Sequence, residues 1–128
     1  EMRGSDEKSE FPCSISEKQG VSKGNLRQVT IDAHVDIQKL PFRRQKDRHV
    51  EKLTFVAALF DVQGNFVVGK EAEMDLALKP ESFARFSKSG ISGVMSLDVS
   101  PGKYRLRTAV QEGVRQQISA RSESIAVQ

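Results

Sequence analysis

Few side chains in this sequence could act as a nucleophile, a base or a metal ligand. Cys13 is the one cysteine, so it can neither form an internal disulfide nor share a metal with a second thiol. It lies in a polar stretch without fixed surroundings, which predicts a free, exposed thiol rather than a nucleophile. His34 lies between Asp32 and Asp36 on the solvent side of a predicted strand, and His49 closes a basic loop. Neither histidine has the further ligands of a zinc site, so we expect no metal.

No catalytic group of residues is recognisable either. Asp61, Gly64 and Asn65 could suggest calcium, but their spacing is that of a hairpin turn and not of an EF-hand loop. The stretch "GVSKGN" lacks the Walker spacing and does not follow a strand. No serine, histidine and aspartate have the context of a nucleophile, and paired carboxylates can be recognised only in a folded structure. We therefore expect no enzyme, no catalytic residue and no cofactor.

Positive charge is concentrated in one short loop. The formal net charge is +3 over 128 residues. Residues 1–24 contain five acids and four bases, a net charge of −1, so residues 25–128 carry +4. Nucleic-acid binding usually requires a basic face spread over the domain, so this distribution does not favour it. A nucleic-acid or other anionic partner would instead contact the loop through Arg43, Arg44, Lys46 and Arg48.

A second basic group lies in the last predicted hairpin. If this hairpin turns at Gly113, Arg105 faces Arg121 across the outer face of the sheet. Like charges in direct opposition are unfavourable, and Glu123 could relieve them diagonally. The alternative is a binding patch for an acidic partner, formed by Arg105, Arg107 and Arg121. It would include the loop at 43–48 if the two groups lie together in space.

The chain divides into a tail and one domain. Residues 1–24 are polar, carry mixed charge and show no lasting periodicity, which predicts a disordered linker or tail. Residues 25–128 form the predicted β-sandwich domain. The sequence has no apolar run of about 18 residues and no signal-peptide pattern, so we expect no membrane span. We interpret the chain as a fragment of a longer protein.

The domain is predicted to consist of short strands. Apolar and polar residues alternate from Val29 to Ile37, as in a strand with one solvated face. Residues 53–61 are apolar on both faces, which predicts a central strand, with a helix as the alternative. Further strands are predicted at 66–68, 72–78, 95–99, 104–110 and 118–127, the last with a bulge near 122–124.

One short helix is predicted from Pro80 to Lys88, because proline suits a first helical position and Gly90 suits a C-terminal cap. Phe83 and Phe86 would share one face of this helix and close one end of the core. About seven antiparallel strands with one brief helix predict an all-β sandwich of the Ig-like or fibronectin-III-like kind. The standard antibody-type domain is excluded, because the chain has no tryptophan and no cysteine pair.

The stretch from Leu97 to Val110 has the form of a corner between two strands of such a sandwich. Pro101 and Gly102 form the predicted turn, and Tyr104 follows at the start of the next strand. Fibronectin-III-like sandwiches place a tyrosine there, and its hydroxyl donates to the upstream chain. We therefore predict structural roles for these three residues, with an ordinary core tyrosine as the alternative.

The stretches "VEKLTFVAALFDVQGNFVVGKEAEMDLAL" and "LDVSPGKYRLRTAVQE" resemble the C-terminal region of bacterial VWFA-related proteins typical of Acidobacteria. The resemblance covers roughly residues 29–127 and depends on "FDxxGNFV" (Phe60 to Val67) and "PGxYRLR" (Pro101 to Arg107). It implies an upstream von Willebrand A-like domain, an exported setting at the cell envelope or outside the cell, and a role in adhesion or scaffolding. The Asp-x-Ser-x-Ser metal motif of the A-like domain has no match here.

Three functions remain open at the level of the sequence. The first is a non-enzymatic module of an exported multidomain protein, which contacts a protein partner or spaces the A-like domain, with exposed edge strands available for β-augmentation. The second is binding of carbohydrate or another cell-surface polymer, for which Phe42 is the candidate aromatic. The third is nucleic-acid binding by the basic loop, which would weaken steeply with salt.

Overall fold

Two antiparallel sheets enclose the core, because most strands bury every second side chain. The computed structural model describes residues 8–128, and nine strands occur in that range. In chain order they are β1 (Lys8–Ser9), β2 (Cys13–Val21), β3 (Arg27–Val35), β4 (Arg43–Gln45), β5 (Arg48–Phe60), β6 (Phe66–Leu78), β7 (Ile91–Val99), β8 (Gly102–Glu112) and β9 (Ile118–Val127). The larger sheet has the order β1-β9-β8-β5-β4 with β6 also paired to β5, and the smaller has the order β2-β3-β7. The predicted antiparallel β-sandwich is confirmed.

Strand β5 lies at the centre of the larger sheet. It pairs with β6 along one side and with β8 along the other, and the short β4 pairs with its first residues. Its odd-numbered side chains from Glu51 to Leu59 are buried, whereas its even-numbered side chains lie on the outer face. The predicted central position is confirmed, and the helix alternative is wrong. Strand β6 continues through Gly69 and Lys70, where the sequence predicted a break.

The N-terminal segment belongs to the sandwich, which corrects the prediction of a tail over residues 1–24 and of a domain that starts at residue 25. All nine residues of β2 pair with β3, and β1 pairs with β9. Between these strands, Phe11 is buried in the main core at 2% exposure. No periodic pattern in the sequence indicates β2, because Ile15 is the only aliphatic side chain at its half-buried positions. Residues 1–7 lie outside the described part of the chain.

Strand β9 has no bulge, which corrects the prediction near 122–124. It pairs with β8 in one register over its whole length. Its buried residues are Ser119, Ile125 and Val127, so the inward parity is odd throughout. The prediction failed because the first buried position of β9 is a serine, which an apolar pattern does not reveal. The hydroxyl of Ser119 donates to the carbonyl oxygen of Phe11 at 2.6 Å.

Helix α1 (Pro80–Ser89) begins at the predicted proline and ends one residue after the predicted Lys88. Proline occupies its first turn, and Gly90 ends it with a φ of 77°, which favours glycine. The N–H of this glycine donates to the carbonyl oxygen of Phe86 at 2.7 Å. No helix in residues 8–128 is long and apolar enough to cross a membrane.

The corner at the start of β8 is closed by one hydrogen bond. The hydroxyl of Tyr104 donates to the carbonyl oxygen of Ser100 at 2.7 Å, across the turn at Pro101 and Gly102. The tyrosine ring is half-buried and packs against the main core. The bond therefore joins the end of β7 to the beginning of β8, as a tyrosine corner requires.

Replacement of Phe11 by alanine tests whether the N-terminal segment is part of the folding unit. We expect Phe11→Ala to lower the free energy of unfolding by about 3–5 kcal/mol, because it leaves a large cavity in the core. Urea denaturation measures the change. Val21→Ala is the control in the same segment, since Val21 is 80% exposed. A loss of stability as small in Phe11→Ala as in the control would contradict this role.

The hydroxyl of Tyr104 can be removed without changing the ring. We expect Tyr104→Phe to lower the free energy of unfolding by about 1 kcal/mol, the usual net contribution of one hydrogen bond. The midpoint of chemical denaturation provides the measurement. An unchanged midpoint would mean that the bond to Ser100 does not stabilise the corner.

Candidate interaction surface

The outer face of the larger sheet is open to solvent. On this face Phe60 of β5 pairs with Phe66 of β6 on one side and with Arg105 of β8 on the other. Phe66 is 63% exposed and Val56 is 37% exposed, so no described element covers them. The second apolar face of β5, one of the two faces from which the sequence predicted a central strand, is therefore exposed to solvent.

Four side chains and one turn at this end of the sheet form what we call the hairpin-end surface: Phe60, Phe66, Arg105, Arg107 and the turn from Asp61 to Asn65. The guanidinium carbon of Arg107 lies 6.0 Å from the centroid of the Phe60 ring, within the range of a cation–π contact. The Phe66 ring meets the Phe60 ring edge-on, with 5.8 Å between centroids. The two rings and the guanidinium group therefore contact one another on the exposed face.

Gly69 leaves the space in which the Phe66 ring packs. A Cβ atom at this position would lie 3.0 Å from Cε1 of Phe66 and 3.1 Å from the carbonyl oxygen of Ala57. Such contacts are tighter than carbon and oxygen atoms normally adopt, so a side chain here would displace the ring or the neighbouring strand. The glycine that interrupts the sequence pattern of β6 therefore positions an exposed aromatic ring.

A cavity of about 830 Å³ lies beside the hairpin-end surface. The turn from Asp61 to Gly64 lines one side, and residues of β8 and β9 line the rest. Three cationic side chains alternate along β8 in this lining: Lys103, Arg105 and Arg107. Ser124 lies opposite Arg105 in the register, so a small side chain leaves the guanidinium accessible. Donors of this kind beside an aromatic ring can bind carboxylate or other anionic groups.

The turn that borders the cavity is held by its own aspartate. The carboxylate of Asp61 accepts hydrogen bonds from the backbone N–H groups of Gln63 and Asn65, both at 2.9 Å, and from the Asn65 side chain at 3.2 Å. Bonds from Asn65 hold the pKa of this carboxyl below its usual value. Gly64 adopts a φ of 90°. The residues that could suggest calcium therefore close a hairpin, as the sequence predicts.

Arg121 does not belong to the hairpin-end surface, which corrects the predicted opposition of Arg105 and Arg121. In the observed register Arg105 pairs with Ser124, and Arg121 pairs with the buried Thr108. Arg121 therefore lies on the core-facing side of β9 at the edge of the sandwich, on the opposite face from Arg105. The prediction failed because the loop between β8 and β9 runs over residues 113–117 and shifts the register.

The basic loop at 43–48 is far from the hairpin-end surface. It forms a small hairpin in which β4 leads to β5, with Lys46 at a φ of 57° in the turn. This turn lies at the first residue of β5, whereas Arg105 lies beside Phe60 at the last. The 13 residues of β5 span about 40 Å at a rise of about 3.3 Å per residue. Two separate basic surfaces therefore exist, and they do not form the single patch that the sequence left open.

Phe42 is not an exposed aromatic platform, which corrects its place among the candidate binding residues. Its ring is half-buried and lies edge-on to Phe83 of α1, with 5.1 Å between centroids. The imidazole of His49 stacks on the same Phe83 ring at 4.0 Å. These three rings pack beneath the helix, and the exposed aromatic residue of the surface is Phe66.

The remaining reactive side chains lie apart from the hairpin-end surface. Cys13 is half-buried at the start of β2, not exposed in a tail, and burial raises the pKa of its thiol to about 11. His34 lies on the outer face of the smaller sheet, where its Nδ1 is 3.0 Å from the hydroxyl oxygen of Ser92. In residues 8–128, no three side chains of histidine, cysteine, aspartate or glutamate are grouped as metal ligands.

Two buried glutamates, which sequence analysis did not identify, meet at the other end of β8. Glu51 is 2% exposed and Glu112 is 0% exposed. Oε1 of Glu51 accepts hydrogen bonds from the N–H groups of Lys52 and Gly113 at 2.9 and 3.0 Å. The carboxylate of Glu112 accepts bonds of 2.7 to 3.1 Å from the backbone N–H groups of Val114, Arg115 and Gln117. The pair therefore holds the loop between β8 and β9.

The two glutamates have opposite pKa shifts. Burial, together with the adjacent carboxylate of Glu112, raises the pKa of Glu51 to about 7, against the hydrogen bonds from the N–H groups of Lys52 and Gly113. For Glu112 burial acts in the same direction, but the N–H groups of Gln117 and Arg115 outweigh it and lower the pKa. Oε2 of Glu51 has no hydrogen-bond partner among the described residues, and the adjacent carboxylate of Glu112 favours the protonated form of Glu51. The pair is closed to solvent and stabilises the fold.

Comparison with known proteins finds only distant structural likenesses. No protein-family model and no curated protein matches the chain. Two structures of Bacteroides uniformis β-glucuronidase 2 are similar: a calcium-binding mutant with 13% identity and a TM-score of 0.49, and a form covalently bound to cyclophellitol-6-carboxylate aziridine with 12% identity and a TM-score of 0.48. Each match covers 90% of this chain and 13% of the glucuronidase chain. A Northeast Structural Genomics Consortium target matches 93% of this chain with 10% identity, a TM-score of 0.44 and 88% of its own length covered.

The glutamate pair predicts a fall in stability as the pH rises. Because the folded pKa of Glu51 is raised from 4.5 to about 7, its contribution is complete below pH 4.5 and is lost as the pH rises through about 7. We expect Glu51→Gln to remove this loss, since an amide keeps both the donor and the acceptor. Thermal unfolding at pH 6 to 9 compares the variant with the parent. Equal pH dependence in both proteins would contradict the assignment.

Proposed function

We propose that this domain is a non-enzymatic contact module that binds a protein partner through the hairpin-end surface. In the full-length protein it would be one part of an exported multidomain chain, in which it mediates adhesion or spaces a von Willebrand A-like domain. The resemblance to bacterial VWFA-related proteins supports this setting. The Tyr104 bond supports the finer proposal that the sandwich is of the fibronectin-III-like kind.

The observation that carries the proposal is the residue composition of the hairpin-end surface. Exposed apolar side chains gather at this end of the sheet: Phe66 at 63%, Val62 at 78% and Val67 at 42% exposure. Arg105 and Arg107 lie beside them on β8. Aromatic residues and arginine provide most of the binding energy in protein interfaces, especially where a pocket can receive a partner's side chain. The adjacent cavity offers such a pocket.

The basic loop is a weaker candidate for the same role. Arg43 and Arg44 are exposed and lie on a short hairpin whose neighbouring aromatic ring, that of Phe42, is packed beneath α1. A surface of exposed cations alone contributes little binding energy at physiological salt, because water and ions screen it. This composition does not favour nucleic acid as the partner.

Binding of an anionic cell-surface polymer is the second candidate function. The cavity supports it, because three cations and Ser124 line a space large enough for one or two sugar rings. The exposed ring of Phe66 could serve as a stacking surface. Loss of binding to an acidic glycan in the variants described next would favour this candidate over a protein partner.

Capture of partners from the envelope fraction of the source organism, quantified by mass spectrometry, tests the proposal. We expect Phe66→Ala/Arg105→Ala/Arg107→Ala to retain at least about tenfold less of a specific partner, because it removes the anchor residues. Val21→Ala/Arg43→Ala/Arg44→Ala is the matched control, since it removes the same charge and an exposed apolar side chain elsewhere. Equal capture by the two variants would contradict the hairpin-end surface as the binding site.

A further inference from the structure

We infer that the partner at the hairpin-end surface is a second copy of this chain, with the outer faces of the two larger sheets packed on each other about a two-fold axis. The inference builds on the proposed function, because it uses the same surface. It depends on the distribution of charge over the whole outer face, which the contact proposal does not use.

The outer face carries one cationic and one anionic group. The cations occupy alternate positions of β8 beside the cavity: Lys103, Arg105 and Arg107. The anions occupy alternate positions of β6 toward the other end of the sheet: Glu71, Glu73 and Asp75. Both groups lie on the outer face of the sheet. The three anions, and Arg105 and Arg107 among the cations, pair with even-numbered residues of β5, which point outward. Lys103 points the same way because it is two residues before Arg105 on the same strand.

Lys103 and Arg105 lie too far from Glu71 to neutralise it within one molecule. Glu71 lies level with Val56, four residues along β5 from Phe60, which lies level with Arg105. The strands β6 and β8 are separated by β5, so the Cα atoms of Glu71 and Arg105 are roughly 16 Å apart at ordinary strand spacing. This exceeds the screening length of about 10 Å at 0.1 M salt.

Most of these charges have no ion-pair partner in the described part of the chain. Glu73 is bound by Lys52 at 3.3 Å. Lys103, Arg105, Glu71 and Asp75 form no ion pair among residues 8–128. One sheet face therefore presents uncompensated charge of both signs, at two separate places.

A two-fold rotation brings the two groups together. An axis that lies in the plane of contact, midway between the groups, places the cations of each copy over the anions of the other. The contact is made twice, as in any isologous interface. A different acidic protein would compensate only the cations and would leave Glu71 and Asp75 unpaired, so the second copy fits the face better.

The surface between the two charged groups permits close approach. Ala58 of β5 pairs with Gly69 of β6, and Val56 pairs with Ala109 of β8. Small side chains here allow two sheets to stack at about 10 Å, the usual separation of packed sheets. Phe66 would lie at the border of the contact, where the second copy would cover its exposed ring.

The size of the face predicts a weak association. Four strands about 4.8 Å apart and six to seven residues long present a footprint on the order of 400 Å² per copy. A standard stable interface buries about 800 Å² per partner. We therefore expect a dimer that forms at high protein concentration and is sensitive to salt, because much of its attraction comes from exposed charges.

Sedimentation velocity of the purified chain, from about 10 μM to about 1 mM, measures this association. We expect the sedimentation coefficient to rise with concentration at about 50 mM salt and to rise much less at about 500 mM salt. Lys103→Glu/Arg105→Glu and Glu71→Lys/Asp75→Lys, each alone, should weaken the dimer at least about tenfold through like-charge repulsion. An equimolar mixture of these two variants should associate again, because both charge contacts are restored in the mixed dimer.

Arg43→Glu/Arg44→Glu is the control, since it changes the net charge as much as the cation reversal does. Alone, this control should dimerise like the parent. When it is mixed with Glu71→Lys/Asp75→Lys, the mixture should associate no more than the control does by itself. Circular dichroism verifies that each variant is folded. A parent chain that remains monomeric at all concentrations would overturn the inference, and so would a mixture of the two reversals that fails to associate. If the parent is monomeric but the triple alanine variant captures less of a specific protein than the parent does, only the inference of a second copy is overturned. The proposal of a contact module then stays supported.

Discussion

The antiparallel pairing of β5 with β6 and β8 is the constraint on which the rest of the structure depends. Side chains alternate between the faces of a strand, so this pairing sends the odd-numbered residues of β5 into the core and aligns its even-numbered residues with outward residues of both neighbours. Arg105 lies beside Phe60 for this reason. A register shift between Leu59 and Phe60 brings Phe66 to the other side of Phe60, although the three residues come from different strands. The same alignment places Glu51 beside the end of β8, where it contacts the loop that follows.

That loop determines the position of the last strand. The carboxylate of Glu112 organises residues 113–117 through backbone N–H groups, and the register of β8 with β9 follows from the length of the loop. A change of register by an odd number of residues moves every side chain of a strand to the other face. The observed register, three residues from the expected one, therefore places Arg121 toward the core side and Ser124 beside Arg105.

The distribution of polar and apolar groups on the outer face explains why this surface is suited to contact. Its apolar residues are not covered by any described element, and its charges lie at two separate places. The basic loop at 43–48, in contrast, lies at the opposite end of β5 and combines cations with no exposed ring. The two basic regions of the chain therefore have different chemical character despite similar composition, and the aromatic neighbours of the arginines make the difference.

The sequence by itself determined the elements whose signals are local. Alternation predicted β3 and the central β5, proline and glycine marked the ends of α1, and the aspartate and glycine of one turn predicted its hairpin. Only the tertiary structure decided what depends on distant pairing. The folded structure includes β2, whose weak sequence pattern reflects its position at the edge of a sheet. It also buries Glu51 and Glu112 side by side and leaves the second apolar face of β5 exposed. An apolar pattern in the sequence indicates that a strand face is at least partly buried. Which faces other elements cover depends on the number and register of the neighbouring strands. That is a property of the folded chain as a whole.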